Sequence, residues 1–272
     1  MLVASQTGTT RFARVKRAIA ALIAGDTAGR CIASVFGDRI PFRGMWIDVC
    51  EAVPFRNRAM LFWGLYESAE CRFIRAHLAP DLPVVECGSG IGAISSVVAR
   101  GLAPGQQFVC AEGNPRLLSC LRSNIKRHGA HLRVQIVEAA ISSADGKTHF
   151  LLASDNLCSQ RAEDIAGGDL TEVPCTSVST ILSHRSWPDG WQLIADIEGG
   201  EAAILLRDAG SLQQCVRIII ELHDTTFAGE FVGVDRLQAL ILGLGFSIRA
   251  RRGDVFVFER LRSNNDLPPP TV

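Results

Sequence analysis

Nine cysteines are spread along the 272-residue chain, yet no two form a Cys-x-x-Cys pair. That gap argues against a zinc ribbon and against a thioredoxin-like redox motif. The count is odd, and Cys87 and Cys110 fall inside apolar strand patterns, so the cysteines read as small buried hydrophobes of a reduced, cytoplasmic protein. The chain also has no stretch approaching the ~20 apolar residues a membrane span needs. It has no long basic run, and its 28 Lys and Arg are balanced by 28 Asp and Glu. Nucleic-acid recognition normally leaves a basic footprint. A neutral chain with no such run and no span points away from nucleic acid and membrane, toward a small or neutral partner. At the N-terminus, Arg11, Arg14, Lys16 and Arg17 precede the short apolar run 18–24, which loosely imitates a secretory leader. Asp26 and Arg30 follow without a small-x-small cleavage site, so the segment reads as an accessory amphipathic helix.

What is present is apolar substance: 47% of residues are hydrophobic, enough for the core of one large α/β domain. No internal repeat is evident. Three regions are expected: an N-terminal helical extension or cap over 1–80, a nucleotide-binding domain over 81–262, and a frayed tail over 263–272 that carries Pro268, Pro269 and Pro270. In the first region helical patterns are interrupted by Pro41, Gly44 and Pro54. The clearest is 58–78, where Leu61, Leu65, Phe73, Ile74 and Leu78 recur near helical spacing.

From Pro83 the rhythm becomes strand, helix, strand. Apolar runs at 84–87, 107–111, 132–137, 191–197 and 216–222 alternate with helical patterns at 91–100, 114–128, 200–207 and 234–244. Pro115 suits a first helical turn, where its missing N–H is not needed. Residues 140–152, with Asp145-Gly146 at the centre, predict a β-hairpin. Residues 172–178 predict a strand leading into a short helix, and 246–250 with 255–259 a closing hairpin. The pattern predicts a doubly wound, mostly parallel, seven-stranded sheet with ligands at the carboxyl ends of its strands.

Glu86-Cys87-Gly88-Ser89-Gly90-Ile91-Gly92 joins the first of these strands to a helix. Glycines there allow a sharp turn and close approach of a ligand to the backbone. The spacing of Gly88, Gly90 and Ala93 also fits a dinucleotide fingerprint, so the loop by itself does not choose its nucleotide. Glu112 ends the second strand, placed to accept hydrogen bonds from a ribose diol, which NAD and S-adenosyl-L-methionine (SAM) both carry. Glu138, with Ala139, closes the third strand within reach of an adenine amino group. Glu86 discriminates better: a carboxylate there suits the sulfonium and amino end of SAM and would repel a pyrophosphate. An NAD(P)-dependent oxidoreductase and a non-catalytic SAM-fold binding protein stay open as alternatives.

The later segments resemble a family. Asp196-Ile197-Glu198-Gly199-Gly200-Glu201 resembles the D-x-E-G-x-E signature of FkbM-type methyltransferases. Around it, in the family's order, stand Trp63-Gly64-Leu65-Tyr66-Glu67, Glu112-Gly113-Asn114-Pro115, Ala139-Ala140-Ile141-Ser142 and Ile220-Glu221-Leu222-His223. The resemblance spans about residues 60–260. It implies a class I SAM-methyltransferase (Rossmann-like) fold and O-methylation of a sugar hydroxyl or a small natural product. It departs from the pattern at Glu86 (usually Asp), Gly90 (usually Asn), Ala195 (commonly Lys) and Ser179 (commonly Asp). The Asn/Asp-Pro-Pro-aromatic motif of nucleic-acid amino-methylation is absent.

From these positions the cofactor is expected on Glu86, Gly88, Ser89, Gly90, Glu112, Gly113, Asn114, Glu138, Ala139 and Asp196. Asp196 closes the fourth core strand and is the expected general base, with His223 and Glu198 as further catalytic candidates. Glu221 and His223 leave the fifth strand two residues apart, so their side chains share a side. An oxygen-rich set of Asp196 and Glu221 could alternatively ligate Mg2+. Glu201 reads first as a carboxylate at the positive end of a helix dipole. Residues 153–171 read as a substrate loop or lid, and Trp63 and Tyr66 as possible walls of an acceptor site.

Overall fold

The computed structural model of the protein describes residues 23–151, 160–161 and 170–261. They separate into two compact units, one ending at Ser68 and one beginning at Ala69. The amphipathic run at 18–24, most of the expected loop at 153–171 and the tail at 263–272 lie outside or largely outside the described residues.

The first unit contains helices α1 (Asp26–Phe36) and α2 (Phe55–Phe62) with an antiparallel pair, β1 (Arg39–Phe42) and β2 (Met45–Asp48), between them in sequence. The sequence suggested helices throughout; Pro41 and Gly44 instead belong to a hairpin, with Gly44 in the left-handed region at φ 75°. Buried Arg58 holds the unit's loop, donating to the carbonyls of Val53 and Cys50 and to Asp38. Tyr66 packs edge-on against Phe42, while Trp63 lies half exposed against Phe62.

The expected single helix over 58–78 is broken, because Gly64 and Glu67 take positive φ between α2 and α3 (Ser68–His77). The boundary between the two compact units falls near residue 68. Helix α3 and the segment after it are fastened to the sheet unit: Arg217 donates to the carbonyl of His77, and the buried Gln192 amide both accepts from Ala79 N (2.7 Å) and donates to its carbonyl (2.9 Å).

The second unit is built on a seven-stranded sheet. Its strands are β3 (Val84–Cys87), β4 (Gln107–Ala111), β5 (Arg133–Val137), β10 (Trp191–Ala195), β11 (Cys215–Glu221), β14 (Phe246–Arg252) and β15 (Val255–Arg260). Their spatial order is β14-β15-β11-β10-β3-β4-β5, parallel except where β15 runs antiparallel to both neighbours. Strands β3 and β10 are buried at every position, as central parallel strands covered on both faces must be. The edge strands are polar instead, with Arg133 and Gln135 on β5 and Arg249, Arg251 and Arg252 on β14, which discourages further pairing. Helices α4 (Ala93–Gly101), α5 (Leu118–His128), α7 (Glu201–Arg207) and α8 (Val234–Gly243) connect these strands. The core beneath includes Val85, Val109, Leu193, Ile218, Leu237, Ile241 and the stacked pair Phe256 and Phe258.

Two local expectations change. Helix α5 begins at Leu118, not at Pro115, because the Asn114 side chain accepts from Arg116 N (3.0 Å) and holds a separate turn ahead of it. Residues 140–152 do not form a self-paired hairpin. Strands β6 (Ala140–Ile141) and β7 (Gly146–Leu151) each pair instead with β9 (Leu170–Thr176), parallel and antiparallel respectively, and β8 (Gln160–Arg161) adds to β7, while β12 (Thr225–Phe227) and β13 (Glu230–Val232) form a separate antiparallel pair. The short helix expected after β9 is present as α6 (Val178–Leu182). No helix among the described residues is long and apolar enough to cross a membrane.

Candidate active site

The register of the sheet aligns the strand ends. Cys87 pairs with Ala111 and with Ala195, Ala111 with Val137, and Ala195 with Ile220. The segments that follow, starting at Gly88, Glu112, Glu138, Asp196 and Leu222, therefore leave one rim of the sheet. Backbone hydrogen bonds step along it: Gly88 N and Ser89 N donate to the Ala111 carbonyl, Glu112 N to Val137, and Asp196 N to Cys87. The chain winds from β3 through β4 to β5 on one side and continues through β10 to β11 on the other. That reversal opens a crevice above β3 and β10, where open α/β sheets take their ligands.

The loop after β3 is held in a shape that requires glycine. Gly88, Gly90 and Gly92 have φ of 87°, 55° and 82°. A Cβ on Gly88 would lie 1.9 Å from the carbonyl oxygen of Asp196, so the two segments touch backbone to backbone. Around Gly90, by contrast, nothing lies within 4 Å of that position. Glu112 shapes the same loop: its Oε2 accepts from Gly90 N and its Oε1 from Asn114 N, both at 2.6 Å. Burial raises the Glu112 pKa, opposed by the N–H groups of Asn114, Gly90 and Gly113.

Glu86 is almost fully buried, and its Oε2 accepts from the hydroxyls of Ser89 and Ser95. Among the described residues its Oε1 is buried without a hydrogen-bond partner, while the Cys110 thiol also helps to hold the carboxylate. Desolvation pushes its pKa up to about 7 against the pull of these hydroxyls. Ser95, on α4, was not singled out from the sequence. It lies nine residues on, and only the curl of the glycine loop brings its hydroxyl back to β3.

These features fit SAM. The glycine turn leaves open space at Gly90, the Glu112 carboxylate stands beside it, and an orphaned acidic oxygen at Glu86 suits a cationic amino group. Glu138 is a different case: half exposed, it is paired with Arg122, and its neighbour Ala139 is buried.

Across the crevice, four acidic side chains surround one histidine. His223 Nε2 lies 3.9 Å from Asp196 Oδ1 and 3.7 Å from Glu198 Oε2, and its Nδ1 lies 3.2 Å from Glu201 Oε1. Burial disfavours a charge on the ring, but the hydrogen bond to Glu201 and the charges of Glu201, Glu198 and Asp196 outweigh it and raise its pKa to about 9. At neutral pH the ring is an imidazolium. Glu198 reaches it from a left-handed backbone, φ 47°, which is strained for a residue with a side chain. Glu221 is half buried nearby; burial raises its pKa, reinforced by Glu198, Asp254 and Glu201 and opposed by His223. Asp196, Glu198 and His223 bring one ligand-type atom each within 4.8 Å of one another, a group that leaves Glu221 out. Sequence reasoning put Glu221 beside His223 from strand alternation and joined Asp196 to them; the turn after β10 brings Glu198 and Glu201 against the ring as well.

At the family departures, Ala195 is fully buried in β10, and Ser179 N donates to the Asp208 carboxylate at 3.0 Å. All eight cysteines among the described residues are free.

Comparison with known proteins gives this rim its context. A search of curated protein sequences returned no match. Similar solved structures include precorrin-6y C5,15-methyltransferase from Geobacter metallireducens GS-15 (14% identity, covering 70% of this chain and 85% of that one, TM-score 0.39). Others are ribosomal protein L11 methylase from Lactobacillus delbrueckii subsp. bulgaricus (11%, 72% and 80%, 0.41) and magnesium protoporphyrin IX methyltransferase from Synechocystis PCC 6803 (12%, 72% and 81%, 0.40). The methyltransferase FkbM domain matches residues 86–248, more than half of the chain and the stretch that carries both the glycine loop and the His223 cluster. The oxidoreductase alternative is thereby set aside: the chain belongs to the FkbM methyltransferase family, and it is a SAM-dependent methyltransferase of the class I fold.

Proposed function

We propose that the protein methylates a hydroxyl group of a sugar or small natural product, with Asp196 as the proton acceptor. The observation that carries the reading is the arrangement of Asp196 Oδ1, Glu198 Oε2 and His223 Nε2, with the histidine nitrogen 3.9 and 3.7 Å from the two oxygens. Those separations exceed direct hydrogen bonds, which run about 2.7–3.2 Å. One acceptor oxygen set between the three atoms comes within bonding reach of each. An amine is already nucleophilic when neutral, whereas a hydroxyl must lose its proton as it reacts, and a carboxylate-rich rim supplies the base. SAM, held by Glu86, the Gly88–Gly90 backbone and Glu112, supplies the electrophilic methyl group. His223, positively charged, orients the acceptor oxygen and steadies the negative charge that builds on it. Asp196 takes the proton, and Glu198, near the same Nε2, adds a negative charge that favours the imidazolium. The neutral overall charge supports a small or neutral acceptor, and the free cysteines support a cytoplasmic setting.

Asp196→Asn tests this: it keeps the size and removes the charge. Transfer of labelled methyl to a panel of hydroxyl acceptors should fall at least ~100-fold, as for loss of a general base. The dissociation constant of S-adenosylhomocysteine should move little. Near wild-type transfer by the variant refutes the assignment. Activity of the wild type that EDTA abolishes and Mg2+ restores would replace proton uptake by metal ligation at Asp196.

A further inference from the structure

Glu201 opens α7 and is fully buried. Local structure explains one of its contacts. Its Oε1 accepts from Ile197 N at 3.1 Å, closing the turn ahead of a helix whose N-cap, Gly200, has no side chain for the purpose. A glutamine would do that equally well without placing a charge in the interior. A buried carboxylate is costly unless a cation or donors compensate it, and Glu201 Oε2 has no hydrogen-bond partner among the described residues. Helix capping therefore does not account for the charge.

The compensation lies on the other side, where the same Oε1 is 3.2 Å from Nδ1 of His223. This is the ring's one hydrogen bond among the described residues, since Asp196 and Glu198 stand beyond bonding distance from Nε2. Which nitrogen of a histidine is available is set by the bond the other one makes. We propose that Glu201 is the positioning residue of this active site: its buried carboxylate binds Nδ1–H of His223 and so turns Nε2 toward the space between Asp196 and Glu198. The use of that space for an acceptor hydroxyl rests on the function proposed above; the orientation of the ring does not.

The charged groups that face His223 are Asp196 and Glu198 from the turn after β10, Glu201 from α7, and Glu221 at the end of β11 with Asp254 behind it. Of these, Glu201 alone is both fully buried and in bonding contact. The others keep part of their surface open to solvent, whereas Glu201 does not.

The test needs no acceptor. Protein labelled with 15N-histidine is examined by long-range 1H–15N correlation at pH 7.5, with the His223 signals assigned by their absence from His223→Gln. The wild type should show a slowly exchanging Nδ1–H on His223. Glu201→Met fills the same buried space with no acceptor, and this proton should exchange at least tenfold faster there. Far-UV circular dichroism and S-adenosylhomocysteine affinity, within twofold of wild type, show that the variant is folded. A wild-type ring with Nδ1 unprotonated overturns the proposal whether or not the variant folds. An equally protected Nδ1–H in folded Glu201→Met overturns it too. Failure of hydroxyl methylation in the acceptor panel leaves both readouts unaffected, so the two readings fail separately.

Discussion

Replacing Glu86 by glutamine isolates the energetic consequence of an acid buried under the cofactor loop. The folded chain raises this carboxyl from 4.5 to about 7, chiefly by desolvation. At roughly 1.4 kcal/mol per pH unit, that difference is worth about 3 kcal/mol of preferential proton binding by the folded state. Because the folded pKa is the higher one, the stabilisation is complete below about pH 4.5 and is lost as pH rises through 7. Glu86→Gln keeps the shape, and the Ser89 and Ser95 hydroxyls can reverse to accept from its amide, but it has no proton to lose. Between pH 5 and 8.5 the wild type should therefore lose stability relative to the variant. At ~2–4 °C per kcal/mol for a domain of this size, the melting temperatures should diverge by roughly 6–12 °C. Binding reverses the ranking. An ionised Glu86 facing the amino group of S-adenosylhomocysteine should contribute roughly 1.5–3 kcal/mol, so the variant binds at least ~tenfold more weakly. Wild-type binding near pH 7 should also release a proton, seen as a dependence of calorimetric heat on buffer ionisation enthalpy. Parallel stability curves for the two proteins across this pH range would refute the reasoning, because Glu86 would then titrate as an ordinary surface acid.

Glu112→Ala should weaken S-adenosylhomocysteine binding by roughly 1.5–3 kcal/mol and lower the melting temperature as well, since Gly90 N and Asn114 N lose their acceptor; unchanged affinity by calorimetry removes Glu112 from the site. Methyl transfer should decline as pH rises through about 9, where His223 loses the charge assigned to it; a rate that instead climbs through the same pH would make the neutral ring the base. His223 also contributes stability that is complete below about pH 6.5 and lost through 9, so His223→Gln should flatten the melting-temperature profile over that window. Intact-mass measurement under native conditions should find the described cysteines reduced, and two or more disulfides would contradict the buried placement of six of them.

The sheet was legible because burial on both faces leaves a plain mark. Val84-Val85 and Val216 to Ile220 have no polar alternation to confuse them, and their ends could be placed within a residue or two. The rim residues Glu86, Glu112, Asp196 and His223 could be located for the same reason, each ending or just following such a run. What failed was pairing at a distance. Alternation in 140–152 shows that strands exist but not that β9, some thirty residues later, pairs with both of them. The helix over 58–78 had the right period on each side of Gly64, and periodicity cannot register a break that preserves phase. Glu201 was readable as a helix-terminal carboxylate, which it is. Its second contact, with His223 just past the end of β11, exists only once β10 and β11 are side by side.

The contact between Gly88 and Asp196 has a practical corollary for anyone wishing to redirect this protein to a new acceptor. What seats against the glycine is the main-chain carbonyl of Asp196, which every amino acid carries alike. The side chain at 196 can be exchanged without altering the spacing between the cofactor loop and the turn after β10. Ile197 is not so free, because its Cγ2 sits 3.0 Å from where a Cβ on Gly88 would stand and helps fill the same joint. A variant library aimed at acceptor choice should keep Asp196 as the base, while Gly88 and Ile197 stay fixed as the hinge pin on which both halves of the crevice keep their alignment.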